Sequence, residues 1–140
     1  MGQIEQAILL MILVVPMVWF WDKVRPKRIL VVEDNPNDVM LFKINIHLDN
    51  CIVDYRNSAE GVIREFWRRK PDVVIVDYYL AGKTKGDELL RFCENNNIPS
   101  LLVTGNEGEI LGVNPKRIVR KSADKSYYLQ LENFINEAIS

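Results

Sequence analysis

Residues 71–80 read PDVVIVDYYL, and Val73 to Val76 form a continuous β-branched run that ends on the acid Asp77. A run with no polar face fits a central strand of a parallel sheet covered on both sides. With Asp72 to Val76 as the third strand, further apolar runs lie outward at Arg28 to Val32, Cys51 to Tyr55, Ser100 to Val103 and Arg117 to Arg120. Amphipathic stretches separate them. Short strands alternating with helical patterns predict an α/β domain over 28–140, with five strands around one parallel sheet.

The helices are signalled by caps and periodicity. Asn35 followed by Pro36 is a helix start, with Val39, Phe42 and Ile46 at helical spacing and an end expected near Asn50. Ser58 is expected to cap a second helix whose Val62, Ile63, Phe66 and Trp67 face inward, leaving Arg64, Arg68, Arg69 and Lys70 to face water or anionic lipid. A third helix is expected from about Gly86 to Asn96. A last one runs from Ala123 to Ile139, with Ser122 as cap and Leu131, Phe134, Ile135 and Ala138 inward. The connection 104–117, TGNEGEILGVNPKR, holds three glycines and a proline, so a fourth helix there is expected to be short or absent.

Ligands of open parallel sheets bind at the carboxyl ends of the strands. The residues there are Glu33 and Asp34 after the first strand, Asp77 after the third, Thr104 at the end of the fourth and Lys121 after the fifth. Two carboxylates about 4 Å apart repel by roughly 4 kcal/mol at an effective dielectric near 20, so three acids in one small space call for a counterion. Oxygen donors without imidazole or thiolate suit Mg2+ better than zinc. An ionised Asp77 could then attack a phosphoryl donor in line, with the cation, the Thr104 hydroxyl and the Lys121 ammonium stabilising the equatorial oxygens. The product would be an aspartyl phosphate.

These residues, in this order, resemble the receiver domains of bacterial response regulators in two-component signalling. The resemblance rests on ILVVEDNPND at 29–38, PDVVIVDYYL at 71–80, LLVTGN at 101–106 and VRKS at 119–122, and covers about four fifths of the chain. It implies a flavodoxin-like doubly wound sheet of strand order 2-1-3-4-5. It further implies that Asp77 is the phosphoacceptor, that Asp34 contacts Mg2+ directly and Glu33 mainly through water, and that the backbone carbonyl of Tyr79 completes the metal ligands. Gly105 would leave room for the phosphoryl donor. The implied partners are a histidine kinase or phosphotransfer protein and a downstream protein target. The chain departs from the family pattern at Ser122, where proline is usual after the lysine, and at Ile118, where an aromatic switch residue is common. The irregular fourth-helix region and the expected lack of an output domain after the fifth helix are further departures. A second reading follows from them: a phosphorylation-independent adapter that uses the same fold as a binding module. Neither reading is a conventional enzyme.

Residues 1–27 need a separate account. Ala7 to Trp21, AILLMILVVPMVWFW, carries no charge across fifteen residues. That length of helix reaches about 22 Å, one turn more if counted from Ile4, slightly under the hydrocarbon core of about 30 Å. Trp19, Phe20 and Trp21 form an aromatic cluster, and Lys23, Arg25, Lys27 and Arg28 follow, against only Glu5 in the first six residues. This asymmetry predicts one helix through the inner membrane with the domain in the cytoplasm. A signal peptide fits less well, because no basic segment leads and Trp-Phe-Trp stands where small residues would precede a cleavage site. An amphipathic helix packed on the domain would need a polar face that Ile8 to Val15 lacks.

Composition removes other classes. With 18 Lys and Arg against 19 Asp and Glu, the formal charge of -1 offers nucleic acid no attracting field. Cys51 and Cys93 lack metal or redox spacing and read as buried thiols in a reducing compartment. His47, the only histidine, reads as structural. Gly82-Lys83-Thr84 imitates the end of a phosphate-binding loop, but Asp77 stands where that loop needs its first glycine. A flavin phosphate would be repelled by the EDNPND loop.

Overall fold

The computed structural model describes residues 2–105 and 112–140. A long helix, α1 (Gln3–Val24), precedes β1 (Lys27–Val32), α2 (Pro36–Asn45), β2 (Cys51–Arg56), α3 (Ala59–Glu65) and β3 (Val73–Asp77). Then come α4 (Gly86–Asn95), β4 (Ser100–Thr104), a single 3-10 turn at Pro115–Arg117, β5 (Ile118–Arg120) and α5 (Lys125–Ile139). All strand pairs are parallel, in the order β2-β1-β3-β4-β5. The fourth-helix expectation falls largely on 106–111, outside the described residues.

Alternation along each strand divides the core between two faces of the sheet. Leu30, Val32, Val74 and Val76 point towards α3 and α4, where they meet Val62, Phe66, Leu89 and Leu90. Ile29, Val31, Val73 and Ile75 point the other way, towards Phe42 of α2 and Leu131 and Ile135 of α5. Every residue of β3 is buried, as its unbroken β-branched run requires.

Several local expectations are corrected. Helix α2 stops at Asn45, not near Asn50: the Asn45 side chain donates back to the Leu41 carbonyl, and Ile46 turns extended to bury itself in the α2/α5 core. Trp67 is 74% exposed because α3 ends at Glu65 and Phe66, 2% exposed, takes the inward place. The amides of Arg68 and Arg69 fold back onto the Glu65 carbonyl and turn Trp67 outward. Asp124, not Ser122, is the N-cap residue of α5, although the Ser122 hydroxyl accepts from the Asp124 amide. Cys93 is buried and its thiol is pushed up to about 12 by that burial, whereas Cys51 is only half-buried.

Helix α1 is longer than the uncharged run within it. Its 22 residues give about 33 Å, and it continues through Pro16 with no residue buried. It is long and apolar enough to cross a membrane. At its end the helix is tied to the sheet: Arg25, its C-cap, donates two hydrogen bonds to the Asp72 carboxylate, at 2.9 and 2.7 Å. Asp72 also accepts from the Arg28 amide at 2.8 Å.

Candidate functional site

Strand register brings the sequence-predicted acids to one level. Val32 pairs with Val76, so Glu33, the next residue, lies level with Asp77, which pairs with Val103. Thr104 pairs with Arg120, and its carbonyl accepts from the Lys121 amide at 2.8 Å. Glu33, Asp34, Asp77, Thr104 and Lys121 therefore share the carboxyl edge of the sheet.

The side chains of Glu33, Asp34 and Asp77 each offer a carboxylate oxygen within 4.8 Å of the others. Oxygens bound to one Mg2+ at about 2.0–2.1 Å lie some 3–4 Å apart, so small side-chain adjustments would close this set on an ion. The donor set is all oxygen, as a hard cation needs. Asp34 is half-buried and held by the Ala81 amide, which donates to its Oδ2 at 2.9 Å. Tyr79 lies two residues beyond Asp77 with its ring exposed and edge-on to Tyr78.

Lys121 is the hub. Its Nζ donates to Glu33 Oε2 at 2.6 Å and Asp38 Oδ2 at 2.9 Å, and stands 3.3 Å from Asp77 Oδ2. Burial alone would lower the ammonium's affinity for its proton. Hydrogen bonds to Glu33 and Asp38 and the charge on Asp77 together outweigh that and hold it well above the usual lysine range. Glu33 is 7% exposed, and burial pushes its carboxyl up against the opposing pull of Lys121 and of the Asn35 amide, which donates at 2.9 Å. Asp77 is 6% exposed and Thr104 is buried. Space around Gly105 is open, since an added Cβ would meet nothing within 4 Å.

Four contributors were not read from the sequence. Asp38 lies in the first turn of α2, three residues after the Asn35 cap, where an acid reads simply as helix-dipole complement. That position carried no signal of its contact with Lys121, 83 residues away. Glu60 accepts from the amides of Lys83 and Thr84 at 2.9 and 2.7 Å, pinning the loop that leaves the Asp77 end of β3. The Thr84 amide leads the bonds that lower its carboxyl below the usual range. Gly82, at φ +106°, makes the turn that presents those amides. Gly86 packs directly on the Asp77 backbone, where a Cβ would run into the Asp77 carbonyl oxygen.

A parallel sheet in the order 2-1-3-4-5, helices on both faces and acids gathered at its carboxyl edge are together decisive for architecture. This is the flavodoxin-like receiver fold. Solved receiver structures superpose on it across most of the chain. The signal receiver domain of a Vibrio parahaemolyticus protein described as a LuxO repressor matches with TM-score 0.65 and 23% identity, covering 82% of this chain and 90% of that one. The receiver domain of the Erythrobacter litoralis response regulator PhyR gives 0.66 and 18%, covering 82% and 91%. The phosphorylated cyanobacterial phytochrome response regulator RcpA gives 0.63 and 23%, covering 79% and 91%. In sequence, the chain is 29% identical over 84 residues to the transcriptional regulatory protein TrcR of Mycobacterium tuberculosis, across 59% of this chain. The match spans about a third of that protein, 32% of its length. No protein-family model matches the chain. Ile118 packs, partly buried, against the α3/α4 core, and its branched Cβ stiffens it there.

Proposed function

We propose that this chain is the phosphoacceptor receiver of a two-component phosphorelay, tethered to the cytoplasmic face of the inner membrane by α1, with Asp77 as acceptor. The observation that carries the reading is the convergence of Glu33, Asp34 and Asp77 within 4.8 Å, with the Lys121 ammonium 3.3 Å from Asp77. An adapter that only binds partners has no need of four converging charges, three of them like. That favours phosphorylation over the binding-module reading.

In the proposed step an Asp77 carboxylate oxygen forms a bond to phosphorus as the bond to a donor imidazole nitrogen breaks. That nitrogen keeps the electron pair and takes up a proton. The donor is a histidine kinase or phosphotransfer protein. Lys121 supplies positive charge where a phosphoryl oxygen arrives, and the Thr104 hydroxyl is the second donor. Glu33, Asp34, Asp77 and the Tyr79 carbonyl are the groups that would hold Mg2+, which when bound neutralises charge on the transferred group. The acceptor is the chain's own side chain, so we place it among signalling proteins rather than metabolic enzymes.

Acetyl phosphate tests the reaction. Wild-type protein should take up one phosphoryl group with Mg2+ and none after chelation, and Asp77→Asn should take up none. Equal labelling of Asp77→Asn would overturn the assignment. Alkaline-carbonate extraction of membranes tests the tether: retention is expected, and release would count against it.

A further inference from the structure

We propose that the turn 67–70, Trp67-Arg68-Arg69-Lys70, is a second membrane contact that seats the lower edge of the domain on anionic lipid headgroups. The proposal rests on the reading of α1 as an anchor. All four side chains are exposed, Trp67 to 74%. Among the described residues, none of the three cations forms an ion pair with an acid. The turn is built rather than loose: the amides of Arg68 and Arg69 both donate to the Glu65 carbonyl, and buried Pro71 follows.

Its place in the fold gives the exposure a direction. The turn leads into β3 beside β1, where the Asp72 amide donates to the Arg28 carbonyl at 2.8 Å and Ile29 pairs with Val73. Asp72 in turn holds Arg25, the residue that ends α1. The Asn50 side chain, just before β2, also donates to the Val24 carbonyl. Thus the apolar helix leaves from the same edge that displays the turn, where Lys23 and Lys27 add positive charge while Arg25 and Arg28 are paired with Asp72 and Asp54.

The chemistry matches an anionic bilayer surface. An amphipathic indole ring belongs at headgroup level, as expected for Trp19 and Trp21 at the end of α1. Adjacent arginines and lysine gain from the negative surface potential there. Seating this edge would direct the opposite edge, with Asp77 about 13 Å further along β3, away from the bilayer and towards soluble partners.

The test uses the full chain reconstituted, domain outward, in phosphatidylcholine vesicles with and without phosphatidylglycerol. Amide hydrogen exchange of 65–70 is read against the loop 81–85 at the far edge. Exchange of 65–70 should slow roughly tenfold only in anionic vesicles, and the triple variant Arg68→Glu, Arg69→Glu, Lys70→Glu should lose that protection while staying carbonate-resistant. Equal exchange in both vesicles, or protection that survives the triple variant, overturns the lipid contact. Carbonate release of wild-type protein that still shows composition-dependent protection would instead overturn the anchor and leave the contact standing.

Discussion

The Lys121 ammonium donates to the Glu33 carboxylate at 2.6 Å across 88 residues of sequence, joining the loop after β5 to the loop after β1. Neither group is there by local preference. Strand order places β1 and β5 on opposite sides of β3 and β4, and the lysine reaches inward past Asp77 to close the ring. One cation thereby offsets three carboxylates, Glu33, Asp38 and Asp77, in a site where burial makes the charges on Glu33 and Asp77 costly.

Replacing Lys121 by Met should therefore destabilise the domain by about 1–3 kcal/mol at pH 7, below the full cost of breaking a buried pair because the site is partly open to water. Glu33 already titrates high in the fold, so the folded state binds its proton more tightly than the unfolded chain. The loss should shrink as pH falls towards that raised value. Adding Asp38→Asn to Lys121→Met should recover part of the stability. Urea denaturation of both single variants and the double variant measures the coupling.

Gly86→Ala should cost roughly 2–3 kcal/mol, because the new Cβ meets the Asp77 backbone rather than a movable side chain. Displacing that backbone should also slow phosphoryl incorporation at Asp77. Chemical denaturation and acetyl phosphate labelling of the same sample separate the two effects.

Asp72 carries a pH signature. Burial would raise its carboxyl, but the Arg25 guanidinium and the Arg28 amide together hold it below the usual carboxylate range. Its stabilisation is then fully present above the unfolded value of about 3.9 and is lost as pH falls through the lower folded value. Asp72→Asn should cost about 1–2 kcal/mol between pH 5 and 7, and the gap to wild type should close below pH of about 4. Thermal melts across that range check it.

Neighbouring aromatics should behave oppositely. Phe66→Ala opens the α3/α4 core and should cost about 3–5 kcal/mol, whereas Trp67→Ala should change stability by less than about 0.5 kcal/mol. Denaturant midpoints in detergent report both. A large loss from Trp67→Ala would show that its indole supports the fold.

What the sequence determined by itself was whatever local pattern carries: five strands from apolar runs, the Asn35 and Ser58 caps, and the charges waiting at strand ends. Those signals are local because alternation, capping and charge-free length act over a few residues. Tertiary structure alone decided the partners. Asp38 became a ligand of Lys121, Glu60 clamped the loop beyond β3, Gly86 yielded its side-chain space to the Asp77 backbone, and Trp67 turned to solvent when Phe66 filled the core. Each outcome depends on which distant element lies alongside. Helix periodicity can say that two residues share a face, but only packing fixes where that face ends and what stands opposite.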